Sequence, residues 1–324
     1  MFAQTRSFTD LHEHAGAISG WRQTYDQMGR GPLNTGLSQV CGERFQLFQE
    51  SFDNRIAQHG QAPRGRMCIA VVLPAGQAPI VQKQLVGAHS VMLLRPDEDF
   101  VVQAPAGTRY FGATVDLVRF AELAAFELSA GQLQRAKTLS QLEVPGALIE
   151  RLLQRIYAAF QLMVERDGAA DHSTEKFIED TLLETLLDLF SGACDVPRGR
   201  QGNIAVSAWL VKRSQELALA RLEQPPSILD LCAELRVSRR TLQNSFQAVT
   251  GMRPIEYLRN LRLNAVRRKL RATAVEQGTV GEIAGQMGFS HLSHFSLNYR
   301  ELFGEYPSQT KRQAGSPLCK VGNA

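Results

Sequence analysis

Few side chains in this sequence are spaced for catalysis or metal binding. The five cysteines, Cys41, Cys68, Cys194, Cys232 and Cys319, lie far apart with no Cys-x-x-Cys pair. An odd, scattered count argues against a disulfide framework or a zinc cluster and fits a reducing cytoplasm. His12-x-His14 has the residue type of a metal ligand but reads as a solvated helix end. His291 and His294, at i, i+3, are not read as a metal site either. The central stretch holds only His59 and His89, without paired carboxylates at ligand spacing, which counts against a cupin-like enzyme. No cofactor and no catalytic residue is expected.

The chemistry that remains is electrostatic. The 324 residues carry a net charge of +4, unevenly spread. From Arg198 onward there are 19 Lys/Arg against 9 Asp/Glu; the preceding 197 residues hold 17 against 23. An acidic part and a basic part suggest two domains with different partners, the basic one facing a polyanion. A basic but merely solvated surface would show the same split, so charge alone leaves both readings open. No stretch of about 18 apolar residues suggests a membrane span, and no long apolar run follows Met1, so no signal peptide is expected.

The elements that must position these charges follow from periodicity. Leu11, Ala15, Ile18 and Trp21 recur at helical spacing before the Gly29–Pro32 breaker. Between Thr35 and Thr114, short apolar or alternating runs such as Met67-Cys-Ile-Ala-Val-Val-Leu are punctuated by Gly, Pro, Asn and Asp, which predicts a small β-barrel or sandwich. Ala147–Val164 and Thr174–Phe190 are amphipathic helices, the second with Phe177, Ile178, Leu182, Leu186 and Leu189 on one side. They pack on the sheet or form a dimer seam. Residues 191–203 hold three Gly, one Pro and two Arg and read as a linker. The expected class is α+β: a regulatory domain over 1–190, a linker over 191–203, an all-α domain over 204–313 and a flexible tail over 314–324.

The all-α part contains a repeat. Ile228-Leu-Asp-Leu-Cys-Ala-Glu-Leu-Arg-Val-Ser238 aligns with Val280-Gly-Glu-Ile-Ala-Gly-Gln-Met-Gly-Phe-Ser290 at an offset of 52. Beyond it the offset becomes 53: Leu242 pairs with Phe295, Phe246 with Tyr299 and Gly251 with Gly304. One residue is inserted at the start of the second helix of the second copy. Each copy has the grammar of a helix-turn-helix. A cap (Ser227, Thr279) precedes the first helix. A small residue (Cys232, Ala284) lets two helices cross closely. A turn residue (Arg236, Gly288) leads to a buried apolar one (Val237, Phe289), and a Ser caps the second helix. That helix buries one face (Leu242, Phe246, Val249; Phe295, Tyr299, Phe303) and keeps the other polar and uncharged or basic, as entry into the major groove requires. One match would be weak. Two in register in a basic domain predict binding to double-stranded DNA. Between them Pro254–Arg271 reads as one helix with Ile255, Leu258, Leu261, Ala265 and Leu270 as anchors. Its basic residues Arg259, Arg262, Arg267, Arg268 and Lys269 read mostly as a solvated face, with one or two reserved for phosphate.

Over Val206 to Gln313 the chain resembles the AraC/XylS family of bacterial transcription regulators. The resemblance rests on Ile283-Ala-Gly-Gln-Met-Gly-Phe-Ser, His294-Phe295, Tyr299-Arg300, Phe303-Gly304 and Tyr306-Pro307. The stretches Leu229-Asp-Leu-Cys, Val237-Ser-Arg-Arg-Thr-Leu-Gln-Asn and Arg262-Leu-Asn-Ala-Val-Arg-Arg, with Trp21, Gln23 and Tyr25-Asp-Gln, also resemble the ethanolamine-operon regulator subgroup. The resemblance implies a cytoplasmic homodimeric activator with a seven-helix DNA domain. Its recognition helices would enter successive major grooves, about 34 Å apart on one face of DNA. It places base reading on Arg240, Gln243 and Asn244 in the first copy. The equivalent positions of the second are Leu292, Ser293, Ser296 and Leu297. It places Ser238, Arg239, Arg268 and Arg300 near phosphate, and makes His294 a packed residue. Arg suits guanine, and Gln or Asn suits adenine, whereas leucines offer only contact to thymine methyls. The first copy is therefore expected to carry most discrimination and the second to read loosely or by shape. RNA polymerase and a small-molecule effector such as an amine are candidate partners. A regulator governed by dimerisation or protein partners, for example of virulence or quorum-sensing genes, is the alternative.

Overall fold

Alternation of side chains across pleated strands organises the first part of the chain. In order, the computed structural model has β1 (Phe2–Phe8), α1 (Leu11–Ala17), β2 (Arg22–Gln27), β3 (Thr35–Cys41), β4 (Phe45–Phe52), β5 (Ile56–Gln61), β6 (Arg66–Leu73), β7 (Ile80–Val81), β8 (Gln84–Leu85), β9 (Ser90–Leu94), β10 (Asp99–Ala104) and β11 (Arg109–Asp116). Then follow α2 (Leu117–Glu127), α3 (Ala130–Thr138), β12 (Gln141–Glu143), α4 (Gly146–Glu165) and α5 (His172–Gly192). The structure describes residues 1–73, 77–87, 90–165, 172–193, 201–272 and 278–314. Residues 194–200 of the expected linker, 315–324 of the expected tail, His89, Cys194 and Cys319 lie outside them.

The strands form two sheets. One has the order β1-β3-β4-β11-β6-β9-β12, the other β2-β5-β10-β7-β8. The larger is antiparallel at each pairing, for example Gly112 opposite Phe48 and Ala70. Each order begins and ends on different strands, so neither sheet closes. The expected barrel-or-sandwich is an open two-sheet arrangement. One face of the large sheet presents Phe45, Leu47, Ile69, Val71, Val91, Leu93, Phe111 and Ala113 to the helices, where Phe120, Ile149, Ile156, Phe160, Ile178, Leu182 and Leu186 cover it. Burying a side chain of this size contributes about 1.5–3 kcal/mol, so this face is the main reason the unit holds together. Phe177, expected on the apolar side of α5, is instead 66% exposed. The alternate positions (Phe48, Glu50, Ala70, Val72, Met92, Tyr110) face inward. Phe48 lies over Gly112, where any Cβ would sit 2.3 Å from the ring, so glycine is required there.

Two departures come from contacts that local patterns do not reveal. β1 was not anticipated: only Phe8 of its seven residues is buried, so it carries almost no alternation. His14, read as solvated, is fully buried on α1. It stacks between Phe8 and Phe52, with Nδ1 2.7 Å from Thr35 Oγ1 and Nε2 3.1 Å from Glu50 Oε1.

The second unit comprises 201–324 with two short segments, Asp26–Leu33 and Asn54–Ala57. Its helices are α6 (Gln201–Ala220), α7 (Ile228–Leu235), α8 (Arg239–Thr250), α9 (Pro254–Ala272), α10 (Val280–Gln286), α11 (Leu292–Phe303) and α12 (Pro307–Ala314). The expected boundary at residue 204 falls inside α6. Among the described residues these are the seven helices implied by the family resemblance. α9 is buried along Leu258, Leu261, Leu263, Ala265, Val266 and Leu270; Ile255, expected to anchor it, is 66% exposed. Within this unit the Asn264 carboxamide accepts from the Gln27 N–H and donates to its carbonyl, and Asn260 donates to the Met28 carbonyl.

Candidate nucleic-acid interface

Both first helices begin with reciprocal caps. The Ser227 hydroxyl accepts from the Asp230 N–H at 3.2 Å, and the Asp230 carboxylate accepts from the Ser227 N–H at 2.9 Å. Thr279 and Glu282 repeat the arrangement at 3.1 and 2.6 Å. These hydrogen bonds favour the ionised acids: Asp230 is held below the ordinary carboxylate value chiefly by the Ser227 side chain, and Glu282 chiefly by the Thr279 backbone.

The turns share a left-handed residue. Arg236 has φ +55° and Gly288 φ +73°. Glycine is obligatory in the second turn, because a Cβ would lie 2.7 Å from the Leu222 carbonyl oxygen and from Pro225 Cδ. The first turn carries the strain of an arginine there. Arg236→Gly is expected to stabilise the helical unit by about 0.5–1 kcal/mol, read as a shift of its denaturation midpoint; an unchanged or lowered midpoint would contradict the strain.

The second helices start differently. Ser238 caps α8 by accepting from the Thr241 N–H at 3.0 Å. Ser290 does not cap α11. The inserted residue moves the start to Leu292, and His291 stands at the cap without a side-chain hydrogen bond. α8 buries Leu242, Ser245, Phe246 and Val249. Its outward face brings together Arg240, Gln243 and Asn244, all exposed and without a side-chain partner among the described residues, with Arg239 and Ser238 at the N-terminal end. Gln247 continues this face at i+7 from Arg240 and is also exposed; its spacing alone would have identified it.

α11 buries Phe295, Tyr299, Leu302 and Phe303. Leu292 and Leu297 are 49% and 61% exposed, Ser293 is exposed and Ser296 half-buried. Arg300 lies 5.0 Å over the Tyr306 ring and donates to its hydroxyl at 2.8 Å, which fixes its direction. His294, expected to be packed, is exposed beside His291.

The basic residues of α9 are largely not a solvated face. Arg262 stacks 4.8 Å over Phe289 and donates to the carbonyls of Met287 and Gly288, tying α9 to the second turn; burial lowers its pKa. Arg267 stacks 4.7 Å over Phe303 and pairs with Glu305 at 2.6 Å. Arg268 pairs with Asp26, a buried member of the same unit. This pairing competes with the phosphate contact expected of Arg268. Among the described residues no three His, Cys, Asp or Glu side chains gather as a metal set. No helix there is long and apolar enough to cross a membrane.

Residues 231–313 match a family described as a helix-turn-helix domain. A XylDLEGF operon transcriptional activator of Pseudomonas putida is 42% identical over 86 residues, 26% of this chain and 27% of that protein. The match thus spans about a quarter of that relative. XylDLEGF operon transcriptional activator 2 of the same organism is 32% identical over 141 residues, 44% of this chain and 83% of the relative. A solved transcriptional regulator with an AraC-type DNA-binding domain, from Chromobacterium violaceum, is 33% identical over 35% of this chain and 98% of its own, with a TM-score of 0.32. These relatives are transcription regulators rather than enzymes. With two capped helix-turn-helix units and a relative matched over most of its length, the chain belongs to the AraC/XylS family of transcription regulators.

Proposed function

We propose that this protein regulates transcription by reading double-stranded DNA asymmetrically, with α8 as the discriminating helix. One observation carries the reading: Arg240, Gln243 and Asn244 line one exposed face of a helix whose opposite face is buried, and no side chain among the described residues uses their hydrogen-bonding groups. Arg240 would take guanine O6/N7, and Gln243 and Asn244 adenine N6/N7, with Gln247 extending the row. Ser238, Arg239 and Arg300 would contact phosphate; Arg268 joins them only if Asp26 releases it. Leu292, Ser293, Ser296 and Leu297 would read apolar or shape features. The sheet unit is the regulatory part, through homodimerisation and a small-molecule effector. RNA polymerase is the further partner of an activator in the cytoplasm. The ethanolamine-operon subgroup is the finer assignment, and it would make the effector an amine.

Selection of preferred sites from a random DNA pool tests the asymmetry. Arg240→Ala is expected to cost about 1–3 kcal/mol at one base pair and relax preference there. Uniform weakening across all sequences would refute base readout by Arg240. Leu292→Gln is expected to alter the preferred site on the other half; an unchanged site would reduce α11 to backbone docking.

A further inference from the structure

Between the two sheets of the first unit lies a cavity of about 60 Å³. That is less than half of the roughly 150 Å³ of an apolar cavity that admits benzene, so the space suits a short chain as it stands and a single ring once the walls move apart. Its walls are apolar, and Trp21 stands edge-on to both Phe48 and Phe100, at 5.7 and 5.6 Å between ring centres.

The polar groups on the wall decide what could enter. Glu50 is 1% exposed and already engaged: Tyr25 donates to Oε1 at 2.8 Å, Tyr110 donates to Oε2, and His14 lies beside it. Burial, then the Glu50 charge, raises both tyrosine pKa values, so both hydroxyls stay protonated donors. Gln58 donates to Tyr110, Trp21 to Gln46 and Thr108 to the Pro105 carbonyl. The Cys68 thiol is pushed up to about 12 by burial and is no nucleophile. Gln23 Nε2 is different: it is buried on the wall and has no acceptor among the described residues.

A buried amide donor without a partner costs about 1–3 kcal/mol, and an acceptor in the cavity would relieve it. An anion would meet Glu50 with no Lys or Arg on the described wall to offset it. A cation would be desolvated among apolar side chains while the carboxylate is occupied by tyrosines. We propose that this cavity binds an uncharged, single-ring or short-chain apolar molecule whose one acceptor oxygen takes the Gln23 Nε2 hydrogen. This rests on the reading of the sheet unit as a sensor but departs from the amine that the ethanolamine-operon assignment would bring: the ligand is neutral.

Calorimetry on the full-length protein with toluene, benzyl alcohol, benzylamine and benzoate, each at millimolar concentration, tests it. Benzyl alcohol is expected to bind about five- to tenfold tighter than toluene, and the two ions more weakly than either. Gln23→Leu should collapse the alcohol-to-toluene ratio to about one by removing the donor. Ala70→Leu, which fills the inward face of β6, should abolish binding while the protein keeps its circular dichroism and melting temperature. Tighter binding of benzylamine or benzoate, binding of none of the four, or binding indifferent to Ala70→Leu would overturn the proposal. Promoter occupancy with and without benzyl alcohol separates the two claims. Binding without a change in occupancy refutes the sensor reading and leaves the site; an occupancy change driven by benzylamine alone refutes the site chemistry and leaves the sensor.

Discussion

Glu50→Ala is expected to destabilise the sheet unit by about 3–5 kcal/mol, the cost of removing one partner from a buried charged network. The reason is what remains behind. Tyr25 and Tyr110 each donate to this carboxylate, and His14, fully buried, sits 3.1 Å from it. Alanine leaves two hydroxyls and an imidazole without their acceptor in an interior of Phe8, Phe48 and Phe52. At about 2–4 °C per kcal/mol for a unit of this size, the melting temperature should fall by roughly 6–20 °C. Glu50→Gln keeps one acceptor oxygen and should lose about half as much. A loss under about 1 kcal/mol for Glu50→Ala would mean that water or a rearranged side chain replaces the carboxylate. The tyrosines add a pH signature. Their folded pKa values are raised, so the folded state holds its protons longer than the unfolded state does. Their contribution is complete below the ordinary tyrosine value near 10 and is lost as pH rises through the raised values. Alkaline unfolding should therefore steepen above pH 10 in the wild type and flatten in Tyr110→Phe.

How much of this was legible follows the range of the interactions. The caps at Ser227 and Thr279, the turn glycine at Gly288 and the buried rows of α8 and α11 depend on neighbours within one helix-turn-helix, and the repeat exposed them. Arg236 is no turn residue by type; its alignment with Gly288 revealed it. The register change was visible, but its consequence for the cap was not: Ser290 keeps its place in the alignment while the helix begins after it. The network around Glu50 was illegible, because it joins a residue of α1 to residues of β2, β4 and β11. A His-x-His at a helix end carries no sign that three strands will close over it. Arg262, Arg267 and Arg268 show the same limit on the other side of the chain. Locally they are a charged helical face; only the fold brings Phe289, Phe303 and Asp26 beneath them.

Phe246→Ala and Tyr299→Ala occupy equivalent places in the repeat, and each is expected to cost about 3–5 kcal/mol, yet they should damage DNA reading differently. Phe246 is fully buried, edge-on to Tyr257 at 5.5 Å, and Tyr257 reaches back to Gln215 on α6. Its ring fixes the roll of α8, and so the direction in which Arg240 and Gln243 leave the protein. Tyr299 packs between Phe295 and Phe303 and bonds to Thr310 at 2.8 Å. It fixes α11, whose exposed leucines offer no hydrogen bonds. At a temperature where both variants keep their helical signal, Phe246→Ala should flatten the selected DNA consensus over the half read by α8. Tyr299→Ala should weaken binding to every sequence while leaving that half intact. The opposite pattern would place discrimination on α11. Equal flattening by both would mean that the two helices read only as one rigid body, since α9 is buried against both units and would transmit either loss to the other.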